Sequence, residues 1–428
     1  MRDEDVRTCL RVLDELAEAD DGDPDLERVR AAVTAFVKRT RGRDRARERR
    51  RRAAADAAVL ASTATGATAR EEGVPVSAPV SVPARPRTPL GGLLTCYVCK
   101  VRFRDADAFY HRLCPSCAEE HHARRHARAD LSGRRAIVTG GRVKAGFELV
   151  LKLLRDGAEV TAVTRFPADA RRRFAAVDDH AAWAHRLTVT GMDLRDVPAV
   201  VRWCDELVAD GRPLDILVNL AAQTLRHPPE SYAALLRGED RPALAAGAAA
   251  SALELAVDSA GLLPDPSPRN SWTRLVHEVD PVELLEVQLI NVTAPFLLLG
   301  RLRPLLERSP HPRRYVVNVT AAEGRFGSAH KGPEHPHTNM AKAALNMLTL
   351  TSASELAAHG VHLTAVDPGW FTDQQPVPDR DRRAAAGFRP PLDVVDAAAR
   401  VYDPIVRGER DGELLHGCLL KDYRVVGW

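Results

Sequence analysis

Four of the seven cysteines stand in one short window, as Cys96-Tyr97-Val98-Cys99 and Cys114-Pro115-Ser116-Cys117. A Cys-x-x-Cys turn presents two thiolates from one side. Two such turns make a tetrahedral sulfur cage, which suits structural zinc. A closed cage leaves no open coordination position, so no reaction is expected at that metal. Iron, which also accepts sulfur-only ligation, and a redox Cys-x-x-Cys pair are the rival readings. His111, His121 and His122 lie close in sequence, but four cysteines already complete the shell, so these histidines read as surface residues. Cys9, Cys204 and Cys418 are scattered and read as small core residues. A second chemistry-bearing stretch is Thr139-Gly140-Gly141-Arg142-Val143-Lys144-Ala145-Gly146, which follows an apolar run and opens a helical pattern. Glycines in such a turn let backbone N–H groups face a diphosphate at the helix N-terminus.

The elements that must position these residues follow from periodicity. Strands are predicted over Ala136–Val138, Val160–Val163, Leu187–Val189, Ile216–Val218, Tyr315–Val319 and Leu363–Val366. Helices are predicted between them, over Phe147–Leu154, Val197–Leu207, Pro281–Leu299 and Met340–Ala358. This alternation implies an α/β fold, a doubly wound parallel sheet covered on both faces. Four units are expected. Residues 1–58 form a helical hairpin carrying an Arg-rich run, and 59–92 a flexible linker rich in Ala, Thr, Val, Pro and Ser. Residues 93–130 form the Cys₄ module with a short helix from His121 to Arg128. Residues 131–428 form the α/β domain, with an insertion at about 224–280 that includes an Ala-rich helix from Ala243 to Ala260.

The formal net charge is +3, so the chain as a whole is no magnet for nucleic acid. The basic excess is local, from Lys38 to Arg52, and contains no aromatic residue for base stacking, which disfavours nucleic acid as a partner. No apolar run reads as a membrane span and no apolar signal core follows Met1, so a cytoplasmic, membrane-free setting is expected.

The glycine turn resembles the TGxxxGxG segment of the short-chain dehydrogenases/reductases, with Thr139, Gly140 and Gly146 matching and Lys144 replacing the middle glycine. Further stretches resemble the same family in the same order. They are the second strand ending at Thr164-Arg165, Asp193-Leu194, Leu214-Asp-Ile-Leu-Val-Asn219-Leu-Ala221, and Pro368-Gly369-Trp370-Phe371-Thr372. The resemblance implies a Rossmann fold and a nicotinamide dinucleotide held by Thr139, Gly140, Arg142, Lys144, Gly146, Arg165, Asp193, Leu194, Asn219, Ala221, Lys342, Pro368, Gly369 and Thr372. Arg165 stands where an acidic residue would hold ribose hydroxyls, which favours NADP(H) over NAD(H).

The family's reacting groups are an Asn, a Ser, a Tyr and a Lys. Asn291 matches the Asn and Lys342 the Lys, but Thr338 stands at the Tyr position and Ala321 at the Ser position, with Thr320 beside it. His337 is the expected stand-in for the phenol, because imidazole titrates near neutrality. The resemblance implies an NADP-dependent oxidoreductase with a structural zinc, acting on a small carbonyl, alcohol or activated alkene, with homo-oligomer formation as a family habit. The alternative is a non-catalytic NADP(H)-binding sensor or scaffold that recruits a protein partner through residues 1–130. If the insertion covers the substrate pocket, Arg226, His227, Trp272 and Arg274 are its candidate contacts to an anionic substrate.

Overall fold

A computed structural model describes residues 2–18, 24–76, 87–240, 257–328 and 331–428. The Ala-rich helix expected over Ala243–Ala260 falls mostly outside them. Among the described residues, ten strands form two sheets. Strands β1 (Arg87–Thr95) and β2 (Arg102–Asp107) make an antiparallel hairpin that carries the first Cys-x-x-Cys turn. The main sheet holds β3 (Arg135–Thr139), β4 (Glu159–Thr164), β5 (Leu187–Gly191), β6 (Ile216–Asn219), β7 (Arg314–Val319), β8 (Val361–Asp367), β9 (Leu419–Lys421) and β10 (Arg424–Val426). Its order is β10-β9-β8-β7-β6-β3-β4-β5, all parallel except β10.

Order reverses between β3 and β6, since the chain moves outward to β4 and β5 and then returns to the other side of β3. Ligands of open α/β sheets bind at such a point, beyond the carboxyl ends of the strands. β3 and β6 are buried along their whole length, as expected for strands covered on both faces. One face packs on the helices Lys144–Arg155 and Val394–Val406, the other on Val197–Asp210, Ala294–Glu307 and Pro336–Ala358.

The six predicted parallel strands are all present, one to three residues longer than expected. β9 and β10 escaped prediction because they are three residues each. The helix Pro281–Glu307 is long and apolar enough, by composition, to cross a membrane, against the sequence reading. It lies on the sheet with Leu298, Leu302, Leu305 and Leu306 buried, as a core helix does.

The N-terminal reading needs correction. The second helix runs unbroken from Pro24 to Ala61, through the Arg run and past the expected boundary at 58. The segment expected as a flexible linker is partly built. Thr63 and Thr65 are buried, Thr65 bonds His111, Arg70 donates to the Pro390 and Leu392 carbonyls, and the region from Arg87 is strand. Residues 77–86 of that segment are outside the described set. The helix expected over His121–Arg128 spans Pro115–Arg125 instead, with Pro115 at its first turn. His111, His121 and His122 are buried rather than on the surface: the last two because this helix packs against Val394–Val406, and His111 because it meets Thr65 and the Arg389 carbonyl. Burial pushes His111 and His121 down to about 3, with Arg70 adding to the effect on the first and Arg400 on the second.

Candidate active site and dinucleotide corner

The corner after β3 is built by close backbone approach. Gly140 has φ +77°, and a Cβ there would stand 2.9 Å from the Ala221 Cα; a Cβ at Gly146 would stand 2.1 Å from the Gly140 carbonyl oxygen. Only glycine fits at either place. Thr139 ties the corner to the next strand: its hydroxyl accepts from the amides of Leu220 and Ala221, both at 3.1 Å. Helix Lys144–Arg155 begins after Val143 with no side-chain cap, so its first N–H groups have no side-chain acceptor.

Lys144 adopts φ +51°, the left-handed conformation suited to the glycine it replaces. The backbone keeps the turn and the lysine bears the strain. Burial pushes its ammonium down to about 8, and Asp258 and Glu72 pull it partly back. Those acids come from the insertion and from the segment before residue 77. Together the two segments roof the corner: a Cβ at Gly73 would stand 2.5 Å from the Ala260 Cβ and 3.8 Å from the Lys144 Cε.

Arg142, expected on the diphosphate, is occupied elsewhere. Its buried guanidinium donates to Asp169 at 2.6 Å and to the Gly261 carbonyl at 3.0 Å. Arg165, at the end of β4, lies over the rings of Phe166 and Tyr232, with centroids at 5.4 and 5.1 Å. Asp193 is gripped by Arg195, which also donates to Glu286. Leu194 is buried in the core. Asn219 donates to Asn318 at 2.8 Å, and Asn318 donates to Thr349 at 3.0 Å. The Asn219 Oδ1 is buried without a partner among the described residues. Pro368 and Gly369 follow β8 directly; Gly369 has φ +81°, and its amide donates to Asp367 at 2.8 Å. Thr372 is buried and accepts from Gln374.

Asn291 lies in a π-helical turn, Leu289–Thr293, within the long core helix. Such bulges recur at functional sites. Its side chain holds the Gln223 backbone at both ends, accepting from the amide at 2.8 Å and donating to the carbonyl at 3.2 Å.

Lys342 is buried, and its ammonium donates to the Val319 carbonyl at 2.8 Å, where β7 ends. Burial pushes it down to about 8, against the pull of Glu323 and Asp367. The Thr320 hydroxyl reaches the Lys342 carbonyl at 3.4 Å, and a Cβ at Gly324 would stand 2.7 Å from the Lys342 backbone. The loop after β7 is therefore pressed onto this helix. Thr338 is one turn before Lys342, offset about 40° around the helix, so both side chains share a face. Its buried hydroxyl has no partner among the described residues.

His337 is offset about 140° from Lys342. It is 2% exposed, and its Nε2 stands 3.4 Å from Glu283 of the neighbouring helix. Its ring thus faces the contact between two helices, on a different side of its own helix from Lys342 and Thr338. Glu283 was not legible in the sequence, since nothing marks one acid in a helix's first turn as buried. Arg274 is held by Glu283 at 2.5 Å and Arg226 by Glu286 at 3.2 Å, so neither is free for an anionic substrate. Trp272 stacks on His335, with centroids 3.9 Å apart, and pins the start of the Pro336–Ala358 helix. His227 stands edge-on to Tyr232. An open concavity of about 390 Å³, bounded by Arg128, Asp156 and Arg186, lies at the opposite, amino end of the sheet.

The four cysteines converge. Their Sγ atoms all lie within 4.8 Å of one another, with Cys99 and Cys114 at 3.6 Å. Sulfurs on a tetrahedral zinc sit about 3.8 Å apart, so the donor set fits such an ion.

The sequence pattern described as short chain dehydrogenase matches residues 134–234, and that described as Enoyl-(Acyl carrier protein) reductase matches residues 242–387. Uncharacterized protein R665 of Acanthamoeba polyphaga mimivirus is 32% identical over 336 residues, 72% of this chain and 71% of that one. A probable oxidoreductase of Streptomyces lividans is 44% identical over 90 residues, 21% of this chain and 28% of that protein. Among solved structures, the Pseudomonas aeruginosa RhlG/NADP active-site complex is 21% identical with a TM-score of 0.48, covering 69% of this chain and 96% of that one. On the two family patterns, which together span more than half of it, the chain belongs to the short-chain dehydrogenase/reductase family.

Proposed function

We propose that the chain is an NADP(H)-preferring oxidoreductase that reduces, or forms by oxidation, a small carbonyl or activated alkene. The observation that carries this reading is the buried pair on one helix face. The ammonium of Lys342 is tied to Val319, and one turn away the Thr338 hydroxyl is buried without a partner among the described residues. An unpartnered buried hydroxyl is costly and suits a site that completes itself with a ligand or water.

When bound, the dinucleotide supplies or accepts a hydride. The chain's own residues would do the rest. Gly140 and Gly146 admit the diphosphate to the helix N-terminus, and Arg165 meets the 2′-phosphate. Thr338 holds the substrate oxygen or a water in place of the missing phenol. Its own proton is too tightly held for exchange near neutrality, so Lys342, titrating near 8, is the group that moves the proton. Asn291 fixes the Gln223 backbone at the edge of the site. Four thiolates at Cys96, Cys99, Cys114 and Cys117 would hold one structural zinc.

A second reading is a dinucleotide-binding sensor that does not turn over. The absence of a tyrosine one turn before Lys342, where Thr338 stands, favours it. Its partner contacts would lie in residues 1–130.

Titration with NADPH, followed by absorbance at the nicotinamide band with a carbonyl and enone panel, separates the two. Turnover that is lost in Lys342→Ala supports the enzyme. Binding without turnover across the panel supports the sensor, and no binding of either dinucleotide defeats both.

A further inference from the structure

Tyr97 lies between two metal-ligand candidates, and its far end touches the loop that leaves β8. The Trp370 amide donates to the Tyr97 hydroxyl at 2.9 Å. The Trp370 carbonyl accepts from the Leu392 amide at 3.3 Å. Both backbone polar groups of Trp370 are thus fixed from outside its own loop. Gly369 is hemmed in on the same side: a Cβ there would stand 2.6 Å from Leu392 Cδ1 and 3.4 Å from the Tyr97 hydroxyl. The apolar cluster around Cys96, Cys114 and Cys117 includes Leu392 and draws in Phe371, so knuckle and loop share one core.

The other end of Tyr97 is set by the cage. Its amide donates to the Arg112 carbonyl at 2.8 Å, in the stretch leading to Cys114, and the Cys96 amide donates to the Val101 carbonyl at 2.9 Å. The Cys114 amide points at the Cys96 sulfur, 3.3 Å away. Lys100 closes the turn at φ +62°. A ring flanked by Cys96 and Cys99 cannot keep its place if those two sulfurs separate. The loop it holds extends from the carboxyl end of β8, the edge where α/β sheets bind ligands, and Asp367 at its start also acts on Lys342.

We propose that the four-cysteine knuckle is a metal-dependent positioning element for the loop 368–373, acting through Tyr97 on the Trp370 amide. The metal is of the class that takes four thiolates in a tetrahedron, with zinc the best fit. The knuckle takes no part in the reaction. Its metal holds a tyrosine, the tyrosine holds an amide, and the loop keeps the shape the dinucleotide requires. The dinucleotide part rests on the proposed function; the coupling of metal to loop does not.

The test compares the full-length wild type with Tyr97→Phe, a change that removes the hydroxyl and leaves the cysteines alone. Elemental analysis should give about one zinc per chain in both. Amide hydrogen exchange in the 368–373 segment should be about two- to tenfold faster in Tyr97→Phe, the range for loss of one hydrogen bond. The NADPH dissociation constant should rise by a similar factor. Removing the metal from the wild type with a chelator should speed exchange in the same segment. Unchanged exchange at 368–373 in Tyr97→Phe overturns the proposal, as does chelation that loosens only residues 96–117. Chelation that unfolds the whole chain also overturns it, since the metal would then support the entire fold rather than this loop. A wild type that binds no dinucleotide, yet shows the exchange change, sinks the proposed function and leaves the coupling standing.

Discussion

Glu283 stands 3.4 Å from the imidazole of His337, and both side chains are buried between two long helices. Burial alone would raise the Glu283 carboxyl, but the nearby His337 and Ser271 side chains and the Arg274 charge leave it below the usual carboxylate range. A depressed carboxyl stabilises the fold above the ordinary range, and that contribution is lost as pH falls below it. Glu283→Ala should cost about 1.5–3 kcal/mol, the range for a hydrogen bond to a charged group, since the Arg274 side chain is 34% exposed and keeps part of its hydration. Glu283→Gln should cost less and remove part of the acid sensitivity. Denaturant unfolding at neutral and acidic pH checks both, and an unchanged midpoint for Glu283→Ala would contradict the buried pair.

His337→Ala should lower stability through lost packing while the surviving folded enzyme keeps most of its turnover number. Thr338→Val, nearly isosteric, should lower turnover at least tenfold with little change in melting temperature. The opposite pattern would restore His337 as the proton donor.

Lys342 drops from 10.5 to about 8 on folding. Between those values the unfolded chain keeps a proton that the folded chain has released, so this lysine's contribution to stability rises with pH across that window. Turnover in the reductive direction should fall as pH passes about 8, since the charged form supplies the proton. Lys342→Arg should lower the rate and move that inflection above the measurable range. An unshifted inflection would assign the titration to another group.

Arg165 has aromatic neighbours but no carboxylate bonded to its guanidinium among the described residues. Arg165→Ala should weaken NADPH by about tenfold or more and leave NADH nearly unchanged, as expected for a lost charge-assisted bond. Equal losses for both cofactors would refute the 2′-phosphate assignment.

Lys144→Gly should stabilise the fold by about 1 kcal/mol through relief of left-handed strain, offset in part by glycine's greater chain entropy. It should also tighten dinucleotide binding. Lys144→Val should destabilise, since a β-branched residue tolerates that conformation poorly. Denaturant midpoints of the two variants test the sign.

Much of the fold was legible because its signals are local. Apolar runs such as Ala136–Val138 and Val160–Val163, punctuated by Gly140 and Gly157, specify buried strands whatever lies around them. The two Cys-x-x-Cys pairs and the glycine turn were likewise readable, since their meaning depends on spacing along the chain. Three-residue strands such as β9 carry too little pattern to be seen, and a stretch rich in Ala and Thr reads as linker even when Thr65 is buried against His111.

By itself, the sequence determined the order of strands and helices, the glycine corner, the spacing of the four cysteines, and the placing of Thr338 one turn before Lys342. Tertiary structure alone decided what each charged side chain meets. It paired Arg142 with Asp169, turned His337 toward Glu283, brought Glu72 and Asp258 near Lys144, and carried Tyr97 to Trp370. The physical reason is range. Backbone periodicity is set by neighbours a few residues apart, whereas an ion pair or a buried hydrogen bond is chosen by whichever partner packing delivers, here from tens to hundreds of residues away.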